Sequence, residues 1–137
     1  MLAVAALAGV AACGGQAPAR HVPPPARVER ASDGQSSVVL SRAGLQRLGL
    51  QTAPAQPAAG RSGMVLIPYA ALLYQPDGST AVYTVTGLRT YTRLTISVSK
   101  IQGSQVYVSR GLPAGAQVVT AGAEELLGVQ DGVGVQT

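Results

Sequence analysis

Between Arg89 and Lys100 the side chains alternate, with Leu94, Ile96 and Val98 on one face and Arg93, Thr95, Ser97 and Ser99 on the other. A period of two marks a strand that buries one face and wets the other. A strand cannot satisfy its backbone edges alone, so this segment commits its surroundings to a sheet. The flanking sequence supplies the partners. Met64-Val65-Leu66-Ile67 reads as a strand ending before Pro68, a residue tolerated in strands only at an edge, a start or a bulge. Tyr69 to Tyr74 leads into Gln75-Pro76-Asp77-Gly78 and the chain returns over Ala81 to Thr86, which predicts a hairpin. In its turn Pro presets φ, Asp bonds forward to the backbone and Gly supplies a positive φ. Gln102-Gly103-Ser104 turns the chain into Gln105 to Ser109, where Val106 and Val108 oppose Tyr107. Gly111 to Gly115 is another turn and Gln117 to Thr120 a further strand. Ala123 to Leu127 is expected to make a helical turn stopped by Gly128, with Val129 to Gln136 as a closing strand. Short strands at even spacing, separated by glycine turns, define an all-β class: a small antiparallel β-barrel or sandwich with one or two short helical turns.

The material for the core is aliphatic. The chain has no Phe or Trp and five Tyr, so Val, Leu, Ile and Ala must fill the interior of one small domain. Residues 36–57 add an opening segment. Ser36 to Leu40 reads as a strand and Arg42 to Leu48 as a short helix with Ser41 as N-cap and Gly49 as stop. Leu50 to Ala53 is extended again. Leu45 and Leu48 lie three apart on one helix face. A Pro-, Ala- and Gly-rich stretch, residues 54–63, follows as a surface loop or linker.

Ahead of this lies a different kind of sequence. Residues 1–12 are uncharged and apolar, too short to span a bilayer as a helix, for which about 20 apolar residues are needed. They read as the hydrophobic part of an export signal, although the Lys or Arg normal in such a signal is missing, which places the expected start upstream of Met1. Val10-Ala11-Ala12-Cys13 has the form of a lipobox, in which the cysteine thiol is acylated with palmitate-type chains and becomes the mature N-terminus. Cys13 is the single cysteine, and lipidation disposes of what would otherwise be an unpaired thiol outside the cytoplasm. Residues 13–35, with Pro23-Pro24-Pro25 and no apolar periodicity, read as a disordered tether. The expected organisation is therefore a signal over 1–12, lipidated N-terminus and tether over 13–35, opening segment over 36–57, linker over 58–63 and β-domain over 64–137.

Composition removes several functions. The net charge of +4 raises nucleic acid as a partner, but the arginines are scattered and no basic cluster is flanked by aromatics. Attraction to an anionic membrane surface is the better use of that charge. Catalysis needs converging titratable groups; here His21 lies alone in the tether, and adjacent Glu124 and Glu125 diverge by about 100° on a helix. A lone Met64 offers no thioether cluster for a soft metal, so no cofactor or metal is expected.

Three fragments, in order, carry a resemblance. Residues 41–52 (SRAGLQRLGLQT) are similar to the opening segment of the periplasmic adaptor subunits, or membrane fusion proteins, of RND-type efflux transporters. Ile67-Pro68-Tyr69-Ala70-Ala71-Leu72 with Asp77-Gly78 and residues 81–85 (AVYTV) resembles the start of their membrane-proximal β-domain. Residues 111–120 (GLPAGAQVVT) with Gly122 resemble that domain's last turn and strand. Such adaptors carry a lipoyl-like domain and a helical hairpin between the first two fragments, where this chain has only residues 54–63. The resemblance implies a shortened, non-catalytic adaptor, lipid-anchored through Cys13 on the extracytoplasmic side and partnered by a membrane transport protein. The residues leave open a free-standing envelope lipoprotein that binds cell-wall polymer or another envelope protein, and a truncated adaptor remnant.

Overall fold

The structure, a computed structural model, describes residues 14–15 and 24–132. The first strands are β1 (Ala26–Arg30), β2 (Ser36–Leu40), β3 (Gln51–Pro54), β4 (Gln56–Pro57) and β5 (Val65–Pro68). They are followed by β6 (Leu73–Tyr74), β7 (Thr80–Gly87), β8 (Thr90–Gln102), β9 (Gln105–Arg110) and β10 (Gln117–Ala121). Helix α1 (Arg42–Leu48) separates β2 from β3, one 3-10 turn (Tyr69–Ala71) separates β5 from β6, and α2 (Ala123–Gln130) follows β10.

All strand pairs are antiparallel, and the main path runs β3-β10-β7-β8-β9-β5-β4. Its two ends, β3 and β4, are consecutive in the chain with only Ala55 between them, so the sheet nearly closes on itself as a barrel. Ala55 is 1% exposed; its N–H donates to Ala116 O at 2.7 Å and its carbonyl accepts from Gly115 N–H at 2.7 Å. Closure removes most of the free backbone edge that an open sheet would present.

Two cores lie on opposite sides of a shared wall. Val82 and Tyr83, neighbours on β7, are both fully buried, as are Val118 and Val119 on β10. Since successive strand residues point to opposite faces, Val82 and Val118 enter the barrel core with Ile67, Ile96, Val106 and Val108. Tyr83 and Val119 enter the outer core, built with Val38, Leu40, Tyr91 and Leu126 and flanked by Leu45 and Leu48. The 13-residue β8 makes both possible. β7 runs along one of its edges, while the other pairs with β2 over Thr90–Thr92 and with β9 over Ser97–Gln102, with register shifts around Val98. The expected alternation holds in its second half: Ile96 is buried, Leu94 and Val98 pack on the barrel core, and Ser97 and Ser99 are exposed.

Several local expectations are met. Ser41 Oγ accepts from Gly44 N–H at 3.0 Å as N-cap of α1, and Gly49 ends the helix at φ 59°. The turn between β6 and β7 has Gly78 at φ 86°, and Asp77 accepts from Ser79 N–H at 2.9 Å.

Three expectations fail. Ala26–Arg30, placed in the tether, is instead a strand paired with β2 from Ala26↔Leu40 to Arg30↔Ser36. Its sequence, Ala-Arg-Val-Glu-Arg, carries no periodicity because only one edge is paired and most of its side chains face water; backbone bonds and the register of β2 hold it. Gly128 does not stop α2, and Val129 lies in that helix and not in a closing strand; residues 133–137 fall outside the described residues. Leu126, Leu127 and Val129 dock on the outer core, and that packing offsets the roughly 1 kcal/mol a mid-helix glycine costs. The stretch 54–63 contains β4, and its loop is tied back by Ala58 N–H to Met64 O at 3.0 Å. Cys13 and His21 lie outside the described residues.

Candidate partner-binding surface

Among the described residues no group of three or more His, Cys, Asp or Glu is placed to hold a metal. Glu124 and Glu125 are exposed in the first turn of α2, a position that favours acidic side chains by the helix dipole. Among the described residues Tyr83 is the one buried phenol in a polar contact: its hydroxyl donates to Gln130 Oε1, and burial pushes its pKa up to about 12. This contact fastens α2 to β7, which is a structural role.

Contact surface is better developed. The turn Gln75–Ser79 and the turn Gly111–Gly115 spring from opposite edges of β8 at the level of Ile96. On one side Thr80 is paired with Ile96 and its Oγ1 donates to Ile96 O at 2.9 Å. On the other, Gly111 sits at φ 94° so close to β8 that a Cβ there would lie 2.5 Å from Thr95 O. The first turn is stiffened by Asp77, whose carboxylate accepts from Ser79 Oγ at 2.6 Å and from Ser79 N–H; these bonds hold its pKa below the usual carboxylate value. Beside it Tyr69 and Tyr74 are 45% and 58% exposed, and the side-chain contact with Tyr69 raises the pKa of Tyr74. Exposed tyrosines that pair with each other present rigid, amphipathic area of the kind that anchors protein interfaces. A third feature is an open groove of about 640 Å³ bounded by Pro57, Arg61, Met64, Leu112 and Pro113. Arg61 closes one side by stacking over the Tyr107 ring at 5.1 Å.

The tyrosine pair was not singled out from the sequence, because nothing local distinguishes Tyr69 and Tyr74 from the buried Tyr83 and Tyr91. Burial of each tyrosine depends on which face of its element meets a core, which only the assembled sheet decides.

The fold is a small, nearly closed antiparallel β-barrel with two exposed tyrosines beside a stiffened turn. Residues 63–125, from just before β5 to the first turn of α2, match the family described as RND MFPs, C-terminal permuted SH3 domain. The match supports a membrane fusion protein of the RND efflux type for the domain of residues 63–125, which the short stretch 58–63 joins to the opening segment. That family is one of periplasmic, non-catalytic adaptors that engage RND transporter components. No curated protein and no solved structure gives a significant match to the chain. Among the described residues no helix is long and apolar enough to cross a membrane.

Proposed function

We propose that this chain is a lipid-anchored, extracytoplasmic adaptor that works by contact with an efflux-type transporter and carries out no chemistry of its own. The observation that supports it most is the match over residues 63–125 to the membrane fusion protein domain, coincident with the barrel. The anchor in this reading is Cys13, acylated after cleavage of the apolar run before it. A tether of 22 residues, from Gly14 to Gln35, would reach roughly 25 Å as a flexible coil; the bonds of Ser41 to Pro25 O and the pairing of Ala26–Arg30 with β2 take residues 25–30 out of that coil. Holding the domain on the same membrane as its partner raises the effective concentration, so a weak interface is still occupied.

Two experiments test this reading. Metabolic labelling with a clickable fatty acid is expected to mark the wild type and not Cys13→Ser; label persisting in the variant refutes the anchor. In-cell crosslinking from positions 75–80 and 111–115 is expected to capture one membrane transport protein. Capture of cell-wall polymer or soluble envelope proteins alone, with export unchanged on deletion, assigns the chain to free-standing binding lipoproteins.

A further inference from the structure

The end of the molecule opposite the Gln75–Ser79 turn has a distinct character. β7 runs from Thr80 to Gly87, about 23 Å at strand rise, and delivers the chain to the tip Leu88-Arg89. Leu88 is 80% exposed, the most exposed large apolar side chain among the described residues, and Val85 on the approach is 39% exposed. A single exposed leucine is ordinary on a mobile loop. This one is held. Leu40 N–H donates to Arg89 O at 2.9 Å, Arg89 Nε donates to Leu40 O at 3.0 Å, and Thr90 Oγ1 donates to Leu88 O at 2.9 Å. Arg89 has φ 49°, the single non-glycine residue with positive φ among those described. Glycine would adopt that conformation without strain, yet the position carries a cation.

The surroundings are basic and close to the anchor. A cleft of about 520 Å³ beside the tip is lined by Arg27, Glu29, Arg42, Leu88 and Arg89, three arginines against one carboxylate. Glu29 is engaged by Arg27 at 2.9 Å, and among the described residues neither Arg42 nor Arg89 has an acidic partner. Pro24, the first residue of the continuous described segment, lines the same cleft. Only residues 14–23 separate it from Cys13, a covalent reach of at most about 40 Å.

We infer that this end, the Leu88-Arg89 tip with Arg42 beside it, docks on an anionic bilayer surface. Leu88 enters the interfacial layer while the two arginines pair with lipid phosphates. The inference rests on the adaptor reading for the anchor at Cys13. It also gives the molecule a direction: the strained tip faces the lipid, and the Gln75–Ser79 turn with Tyr74 points away from it.

The test uses the full acylated protein in vesicles of phosphatidylethanolamine and phosphatidylglycerol. Acylation consumes the Cys13 thiol, so Leu88→Cys and, separately, Asp77→Cys can each be labelled with one environment-sensitive fluorophore. The label at 88 is expected to shift to the blue, to be quenched by brominated lipid, and to lose about tenfold in iodide accessibility relative to the label at 77. Arg42→Glu, which suits the first turn of α1 and preserves the fold, is expected to lower the shielded fraction about tenfold, as is high salt. Failure of the unlabelled protein to float with vesicles refutes the anchor and this docking together. Flotation with equal iodide access at 88 and 77 overturns the docking and leaves the anchor standing. Equal shielding in phosphatidylcholine vesicles, whose headgroups carry phosphate but no net charge, overturns the requirement for an anionic surface. Shielding that requires a co-reconstituted membrane protein assigns the tip to a protein partner and overturns the lipid assignment.

Discussion

Gly44 lies inside α1, where helix propensity alone predicts that alanine stabilises by about 1 kcal/mol. The tertiary structure reverses that sign. A Cβ at position 44 would lie 2.1 Å from Pro25 O, far inside contact distance, so Pro25 must move by more than 1 Å to restore ordinary packing. That carbonyl accepts from Ser41 N–H at 3.0 Å and from Ser41 Oγ at 3.3 Å. The first bond contributes about 1 kcal/mol and the longer, exposed second one about 0.5 kcal/mol. Displacing Pro25 also loosens the Ala26↔Leu40 end of β1, where Ala26 packs on the outer core, adding about 1 kcal/mol of lost burial. The sum outweighs the propensity gain by about 1 to 2 kcal/mol, which for a domain of this size lowers Tm by about 5–15 °C. Thermal denaturation followed by circular dichroism of Gly44→Ala measures this. Amide exchange should accelerate first at Ser41 and in β1, before the barrel strands. An unchanged or raised Tm, with β1 protection intact, refutes the view that Pro25 is clamped against α1.

Leu126→Ala removes the fully buried residue of α2 and is expected to cost about 2–5 kcal/mol in denaturant unfolding, with α2 amides exchanging ahead of β5 and β9. Tyr83 titrates near 12, above its ordinary value of 10.0, because burial disfavours the phenolate. Stability from the neutral phenol is therefore complete below about pH 10 and lost as pH rises through about 12; Tyr83→Phe, which also loses the bond to Gln130, should flatten that alkaline slope in pH-dependent melting. Asp77 titrates below the ordinary carboxylate value because Ser79 donates to it, so its contribution is complete above about pH 4 and lost as pH falls. Ser79→Ala should raise that pKa toward the ordinary value in an NMR titration, and an unchanged pKa would mean the turn is not organised by this contact.

Local rules were enough for the elements whose signals are local. The Leu94-Ile96-Val98 alternation, the Asp77-Gly78 turn and the Ser41 and Gly49 caps each depend on residues within a few positions of one another, and each is where the sequence puts it. The inward set Val106 and Val108 follows from the same period of two.

What no local rule reaches is the pairing of distant segments. Ala26–Arg30 has no apolar pattern of its own and becomes a strand because β2 offers it a backbone edge. Gly128 is carried through α2 because Leu126, Leu127 and Val129 find a core built from β2, β7 and β8. Tyr69 and Tyr74 are exposed while Tyr83 and Tyr91 are buried, although all four sit in β-rich sequence, since exposure is decided by which face meets a core. The departure of two turns from opposite edges of β8 at Ile96, the clamp of Pro25 on Gly44 and the strained basic tip at Leu88-Arg89 are likewise consequences of closure through Ala55 and of β8 serving two sheets. Periodicity determines which side chains seek burial, from chemistry carried within a few residues. Which strand edge meets which, and so where the surface features fall, depends on contacts between residues far apart in sequence, and those exist only once the barrel has closed.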